Sequence, residues 1–461
     1  MKKLICLTLS LLLLSFSFVS CAEQTPREGE DSSSPASVSS EPAETESESL
    51  PESETETHAT EEPVISKYEY EYVPPEDGSF TICGVPLSEY TQVLYFPQTQ
   101  DNSFMNHITY KNRLAETTAS AIGSELEIKV ARNEKMFTEK RYEHEILFGT
   151  GFVRDGIPEP DLSKTYYGVT ADGTVYFCSP AVAVFPYLWE LFLEEFFGVP
   201  VKSGQPSAGC AVPECYRELK LMDGASLESQ GYSLVFEDNF EADELDLNVW
   251  RHRGLGQEGG GFNAASSVTL ADGFLTIRGD YRDGEYGEGW YAGQIALTQW
   301  YCRGYFEARI RCSTCLGRNK DMWSAFWIQG PGPYNAETSQ GGIGPGGAEI
   351  DIMENFGTDH FTSCIHCAWG EGAGEVGGEV NVVTGLGNAY DEEFHTYALL
   401  WDETYYRIYL DGILVQCTDH KAGTSAVEEQ VVLELVPGST VPLDLSETRE
   451  MVVDYLKIWQ K

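Results

Sequence analysis

Three carboxylates sit close together in the segment Gly346-Gly-Ala-Glu349-Ile-Asp351-Ile-Met-Glu354-Asn-Phe-Gly357. On a β-strand successive side chains alternate faces, so Glu349 and Asp351 share one face. Strict alternation would send Glu354 to the other face. One extra residue near Ile352-Met353, a β-bulge, returns Glu354 to the face of the other two, and bulges are enriched beside active sites. Two carboxyls about 5–5.5 Å apart suit retaining glycoside hydrolysis, one ionised as nucleophile and the other carrying the proton for the leaving group. A carboxylate between them can hold a proton and push apart the pKa values of the outer pair. The spacing alone is weak in a chain with 73 acids, and Glu241-Ala-Asp243-Glu-Leu-Asp246 nearly repeats it as a solvated polar turn. The central copy differs because Ile350, Ile352 and Met353 are apolar, as a strand with one packed face requires.

The elements that must position this strand lie between Tyr232 and the C-terminus. Short alternating stretches recur there between Gly, Asp and Asn turns: Phe274–Arg278, Gly304–Arg311, Ala325–Ile328, Tyr397–Trp401, Tyr406–Leu410 and Val453–Trp459. Asp411-Gly412 is a hairpin turn signal. This density of strands predicts an all-β sandwich or jelly roll over residues 231–461.

Residues 67–223 read differently. Strands at Val93–Phe96, Glu145–Gly149 and Gly173–Phe177 alternate with helices at Tyr110–Ile122 and Ala181–Phe197, which predicts a small α/β or α+β accessory domain. Pro186 must occupy the first turn of the second helix or kink it. The run Glu145-Ile-Leu-Phe-Gly149, Asp172-Gly173 and the apolar helix resembles the small domain preceding the catalytic domain in some hexosaminidases and α-glucuronidases. It implies no chemistry, and a structural spacer is the reading adopted.

Residues 1–21 form a targeting segment, with Lys2 and Lys3 before the apolar run Leu4–Val19. Phe18-Val19-Ser20-Cys21 resembles a bacterial lipobox, which implies lipidation at Cys21 and a place on the extracellular face of the cell membrane. Ordinary cleavage, giving a secreted protein, is the alternative. Residues 22–66 are rich in Ser, Glu, Thr and Pro, and Arg27 is their only Lys or Arg, so they are expected to form a disordered, charge-extended tether. The net charge of -43 argues against nucleic acid and anionic membrane surfaces as partners, leaves a neutral polymer open, and confines membrane contact to the lipid anchor. A monomer is expected.

Of 12 cysteines, ten remain after Cys6 and Cys21. Cys312-x-x-Cys315 and Cys364-x-x-Cys367 have zinc-knuckle spacing within each pair. Both pairs fall in segments read as strands, where i and i+3 face opposite sides, so buried thiols or a disulfide are preferred over zinc.

The C-terminal part resembles glycoside hydrolase family sixteen, in the bulged-strand branch of laminarinases and agarases. The resemblance rests on Phe236-Glu-Asp-Asn-Phe240, Leu245–Trp250, Gly304-Tyr-Phe-Glu-Ala-Arg309, Trp323-Ser-Ala-Phe-Trp327, Phe394-His-Thr-Tyr397, Tyr409-Leu-Asp-Gly412 and Val453–Leu456 around the carboxylate strand. It implies a concanavalin-like jelly roll with a cleft across its concave sheet. It implies Glu349 as nucleophile, Asp351 as assisting carboxylate and Glu354 as acid/base, with a retaining endo-acting hydrolase of β-linked polysaccharide, β-1,3-glucan first, as the function. A lectin-like binding module and a transglycosylase on the same fold are the alternatives. Trp323, Trp327, His366, Trp369 and Asn263 are the expected substrate contacts.

Two positions depart from the family. Gln294 stands where relatives carry a substrate-binding Arg. No cofactor is required, but a structural calcium would use Asp454 and Gly273, with Asn239 in place of the usual Glu.

Overall fold

The computed structural model describes residues 64–66, 80–95, 103–132, 134–197, 211–317, 320–330, 347–357, 360–367, 374–381, 390–419, 424–439, 441 and 444–461. Cys21, Trp369 and the segments 1–21 and 22–63 lie outside them.

The N-terminal described region is built on a seven-stranded mixed sheet. Thr91–Leu94 pairs in parallel with Glu127–Val130 and with Glu145–Phe148, which pairs in parallel with Val175–Cys178. Tyr166–Val169, Cys215–Leu219 and Val64–Ser66 extend the sheet in antiparallel fashion. Two helices, Ser103–Ile122 and Phe185–Phe197, pack together, and Trp189 donates from Nε1 to Thr118 Oγ1 at 2.9 Å. Pro186 sits in the first turn of the second helix, where its missing N–H costs nothing. Phe148, Phe177, Trp189 and Phe192 form the aromatic centre of this layer, with Phe148 and Phe177 stacked at 4.7 Å.

From Ser233 onward the chain is an all-β, concanavalin-like jelly-roll sandwich. One sheet centres on Arg449–Gln460, flanked by Gly304–Arg311 on one side and by Ser233–Asp238 and Phe274–Gly284 on the other. It continues through His395–Trp401, Tyr406–Leu410 and Ile413–Thr418. The Asp411-Gly412 turn has φ of 50° and 79°, the left-handed pair that a two-residue hairpin requires. The second sheet runs Trp250–His252, Gly287–Leu297, Gln430–Pro437, Met322–Gln329, Glu349–Glu354, His360–Cys367 and Gly374–Asn381. Phe306, Leu399 and Ile458 of the first sheet and Phe326, Ile350, Ile365 and Leu433 of the second are fully buried in one core. Each such side chain contributes about 1.5–3 kcal/mol by leaving water.

The two parts meet at polar and aromatic contacts. Tyr405 donates to Glu190 at 2.9 Å, Tyr187 packs edge-on to Tyr405, and Arg407 lies 4.9 Å from the Tyr405 ring while bonding Asp402. Met222 N–H donates to the Gly412 carbonyl at the hairpin tip.

The cysteine reading needs one correction. Cys312 and Cys315 follow the strand that ends at Arg311, so they lie in its exit loop. Cys312, Cys315 and Cys364 are buried thiols, and the Cys312 Sγ lies 3.7 Å from Met353 Sδ beneath the carboxylate strand.

Candidate active site

The strand Glu349–Glu354 is held on both edges. Toward Met322–Gln329, Trp327 faces Asp351 and Phe326 faces Met353, so Ile352 has no opposite number. Toward His360–Cys367 the register breaks between Asp351 and Glu354. The chain carries one extra residue there, at the position its apolar pattern requires. Ile350, Ile352 and Met353 are all fully buried in the core, while Glu349, Asp351 and Glu354 occupy the outer face. The energetic logic is plain: without the bulge either Met353 would leave the core or Glu354 would enter it unpaired.

Cross-strand partners share a face, which fixes three rows across the sheet. Gln329, Glu349 and His366 form one; Trp327, Asp351 and Cys364 the next; Ala325, Glu354 and Thr362 the third. The third row continues through Glu434 to Gln294.

Each carboxylate has a different partner. Gln329 donates from Nε2 to Glu349 Oε2 at 2.9 Å, and the Gln329 carbonyl in turn accepts from Arg253. His366 Nε2 lies 3.1 Å from Asp351 Oδ2. Trp323 donates from Nε1 to Glu354 Oε1 at 3.1 Å. Ligand atoms of Glu349, Asp351 and His366 all lie within 4.8 Å of one another. A row of carboxylates on one face offers the two groups that acetal cleavage needs, one as nucleophile and one as acid.

Arg253 ties the region together. Its guanidinium lies 4.8 Å from the Trp327 ring centre. Burial pushes its pKa down, while Glu434, Glu349 and Glu258 pull it up. Glu434, 5% exposed, has its carboxyl pushed up to about 7, chiefly by burial and further by Glu258, against a hydrogen bond from Gln294 and the charge of Arg253. Glu258 is raised by burial, opposed by Arg253.

The structure brings most of the sequence-derived candidates together. Trp323 and Trp327 share the outer face with the carboxylates; Trp323 touches Glu354 and Trp327 carries Arg253. His366 lies against Asp351. Gln294 and Asn263 are displaced toward Glu434, beyond Ala325 from Glu354. Trp369 falls outside the described residues. Arg253, Gln329 and Glu434 were missed. Gln329 was detectable, since it lies two residues past Trp327 and therefore on the same face.

The calcium expectation meets a different arrangement. Asp454 accepts from Arg309 at 2.5 Å, so its carboxylate already has a cationic partner. Gly273 lies beside the Glu241 carboxylate. Calcium takes six to eight oxygen ligands, and Asp454 would offer it a carboxylate shared with Arg309.

Residues 266–455 match the family model described as Glycosyl hydrolases family 16. Among solved structures the chain is similar to SCLam, a non-specific endo-β-1,3(4)-glucanase from family GH16, at 22% identity over 50% of this chain and 91% of that one, with a TM-score of 0.41. It is similar to the laminarinase catalytic domain from Thermotoga maritima MSB8 at 20% identity, over 50% and 98% of the two chains, with a TM-score of 0.42. Porphyranase B from Zobellia galactanivorans gives 18% identity, 50% and 92% coverage, and a TM-score of 0.41. No curated protein matches the chain. Within the jelly roll, residues 266–455 are thus similar to the glycosyl hydrolases of family 16.

Proposed function

We propose that residues 231–461 act as a retaining, endo-acting glycoside hydrolase on a β-linked polysaccharide, with β-1,3-glucan as the leading substrate. The observation that carries this reading is the bulge at Ile352, which gives Glu349, Asp351 and Glu354 one face while their apolar neighbours stay buried. Glu349 attacks the anomeric carbon as Glu354 gives its proton to the departing glycosidic oxygen. Water then loses a proton to Glu354, attacks the same carbon and releases Glu349. Asp351 assists from between them, and Gln329 holds Glu349 in line. A transglycosylase would use the same residues with a sugar hydroxyl in place of water. A lectin-like module is disfavoured by the presence of both outer carboxylates.

The N-terminal sequence supports export with a lipid on Cys21 and an acidic tether, so the enzyme would work at the extracellular face of the membrane as a monomer. Screening purified protein for reducing-end release on laminarin, mixed-linkage β-glucan, agarose and carrageenan tests the activity and its substrate. Cleavage of laminarin is the expected result. Release from none of the four overturns the reading.

A further inference from the structure

The carboxylate strand runs into a buried amide that the hydrolytic steps do not use. Asn355 directly follows Glu354 and is fully buried. Its N–H donates to the Ser324 carbonyl at 3.1 Å, and its Oδ1 accepts from the Ser324 N–H at 3.2 Å. Its Nδ2 donates to the carbonyls of Ser313 at 3.2 Å and Gly357 at 3.1 Å. The side-chain amide thus spends its acceptor and both donor hydrogens on main chain. Ser324 Oγ ties the same group together by accepting from the Ser313 N–H at 2.8 Å. An apolar side chain of similar size at 355 would fill the space but leave two carbonyls and one N–H unpaired in the core.

The group lies directly beneath the proposed acid/base. Asn355 and Ser324 hold each other by main chain and side chain, and their chain neighbours on the outer face are Glu354 and Trp323. Trp323 Nε1 in turn donates to Glu354 Oε1 at 3.1 Å. Pairing toward His360–Cys367 breaks between Asp351 and Glu354, so the regular ladder alone does not set the direction of Glu354. Glu349, at the other end of the strand, is held by Gln329 instead.

We infer that Asn355 is a positioning residue for Glu354, fixing how the acid/base carboxyl meets the glycosidic oxygen while the aim of Glu349 depends on Gln329. This rests on the proposed retaining hydrolysis and assigns the proton-transfer half of it to a buried amide.

The test compares two substrates that differ in their need for that proton. Cleaving laminarin passes a proton from Glu354 to the departing sugar oxygen, whereas 2,4-dinitrophenyl β-laminaribioside expels a stable phenolate and needs no acid for its first step. Asn355→Asp and Asn355→Ser are made in the full chain and read below their melting temperatures. Their kcat/KM on laminarin is expected to fall by about tenfold or more, while kcat/KM on the aryl glycoside stays within about threefold of wild type. If neither variant folds, Ser324→Ala, which removes the hydroxyl bound to Ser313 and keeps the main-chain contacts of Asn355, is read for the same split. Equal losses on both substrates mark a general displacement of the strand and overturn the inference, as do unchanged rates on both; the hydrolase reading survives either result. If wild type cleaves a different β-glycan, an aryl glycoside of that glycan's disaccharide replaces the laminaribioside. Wild-type protein that cleaves no β-glycan removes the hydrolase reading and the inference with it.

Discussion

Gln329 donates to Glu349 at 2.9 Å from the directly opposing position on the neighbouring strand, and Arg253 holds the other end of its amide. The candidate nucleophile is thus aimed by a neutral donor whose own orientation is fixed by a cation. Gln329→Ala is expected to lower kcat by about tenfold to a hundredfold, the scale of one hydrogen bond to a charged group, with a smaller change in KM. Gln329→Glu should be worse, since it sets like charge against Glu349. Steady-state kinetics on proteins with matched thermal melts would check both.

Trp323 offers a separate handle on Glu354. Its Nε1 donates to the Glu354 carboxyl at 3.1 Å, and a hydrogen bond to the charged form favours ionisation. Trp323→Phe keeps a ring against Phe356 but removes the donor. Losing that donor should lower kcat/KM by about tenfold or more, the scale of one hydrogen bond to a charged group, in protein whose thermal melt is unchanged.

The bulge can be tested by removing it. Deleting Ile352 restores strict pairing against Phe326 and Trp327 and keeps Met353 inward and Glu349, Asp351 and Glu354 outward, but it removes a fully buried side chain and the re-aiming that the bulge gives Glu354. The melting temperature should fall through the lost burial, and activity should fall because Glu354 is re-aimed relative to Glu349. By contrast, Met353→Leu conserves volume and should cost less than about 1.5 kcal/mol, read from denaturant unfolding.

Glu429 supplies a pH dependence. It is fully buried, its Oε1 accepts from the Ala348 N–H just before the carboxylate strand, and burial pushes its pKa up to about 8 from 4.5. Between these values the folded protein keeps a proton that the unfolded chain releases. Rising pH therefore favours unfolding across that window, and the stability present below pH 4.5 is lost as pH passes through about 8. Glu429→Gln keeps an acceptor for Ala348 and should flatten this slope. Chemical denaturation of both proteins from pH 5 to 9 would show it.

How much of this was legible in the sequence differs from residue to residue. Alternation between Glu349 and Glu354, with apolar residues between them, called for the extra residue that the structure carries at Ile352. The Asp411-Gly412 hairpin and the position of Pro186 were readable because turn and helix-start chemistry is local. Arg253 was not readable. It comes from a distant edge strand and reaches Glu349 only through Gln329, and nothing local encodes that approach. Glu434 was hidden in the run Val431-Val432-Leu433-Glu434-Leu435, where a strand with buried residues on both faces shows no alternation. The antiparallel additions Tyr166–Val169 and Cys215–Leu219 likewise depend on pairings that sequence spacing does not reveal.

The central claim is that Glu349 performs the chemistry on the shared face. Reducing-end release should be measured for wild type and Glu349→Ala side by side on laminarin, mixed-linkage β-glucan and agarose. The account expects wild type to release reducing ends from at least one polymer and Glu349→Ala to fall by about a thousandfold or more, as loss of a nucleophile does. Unchanged release by Glu349→Ala would contradict it.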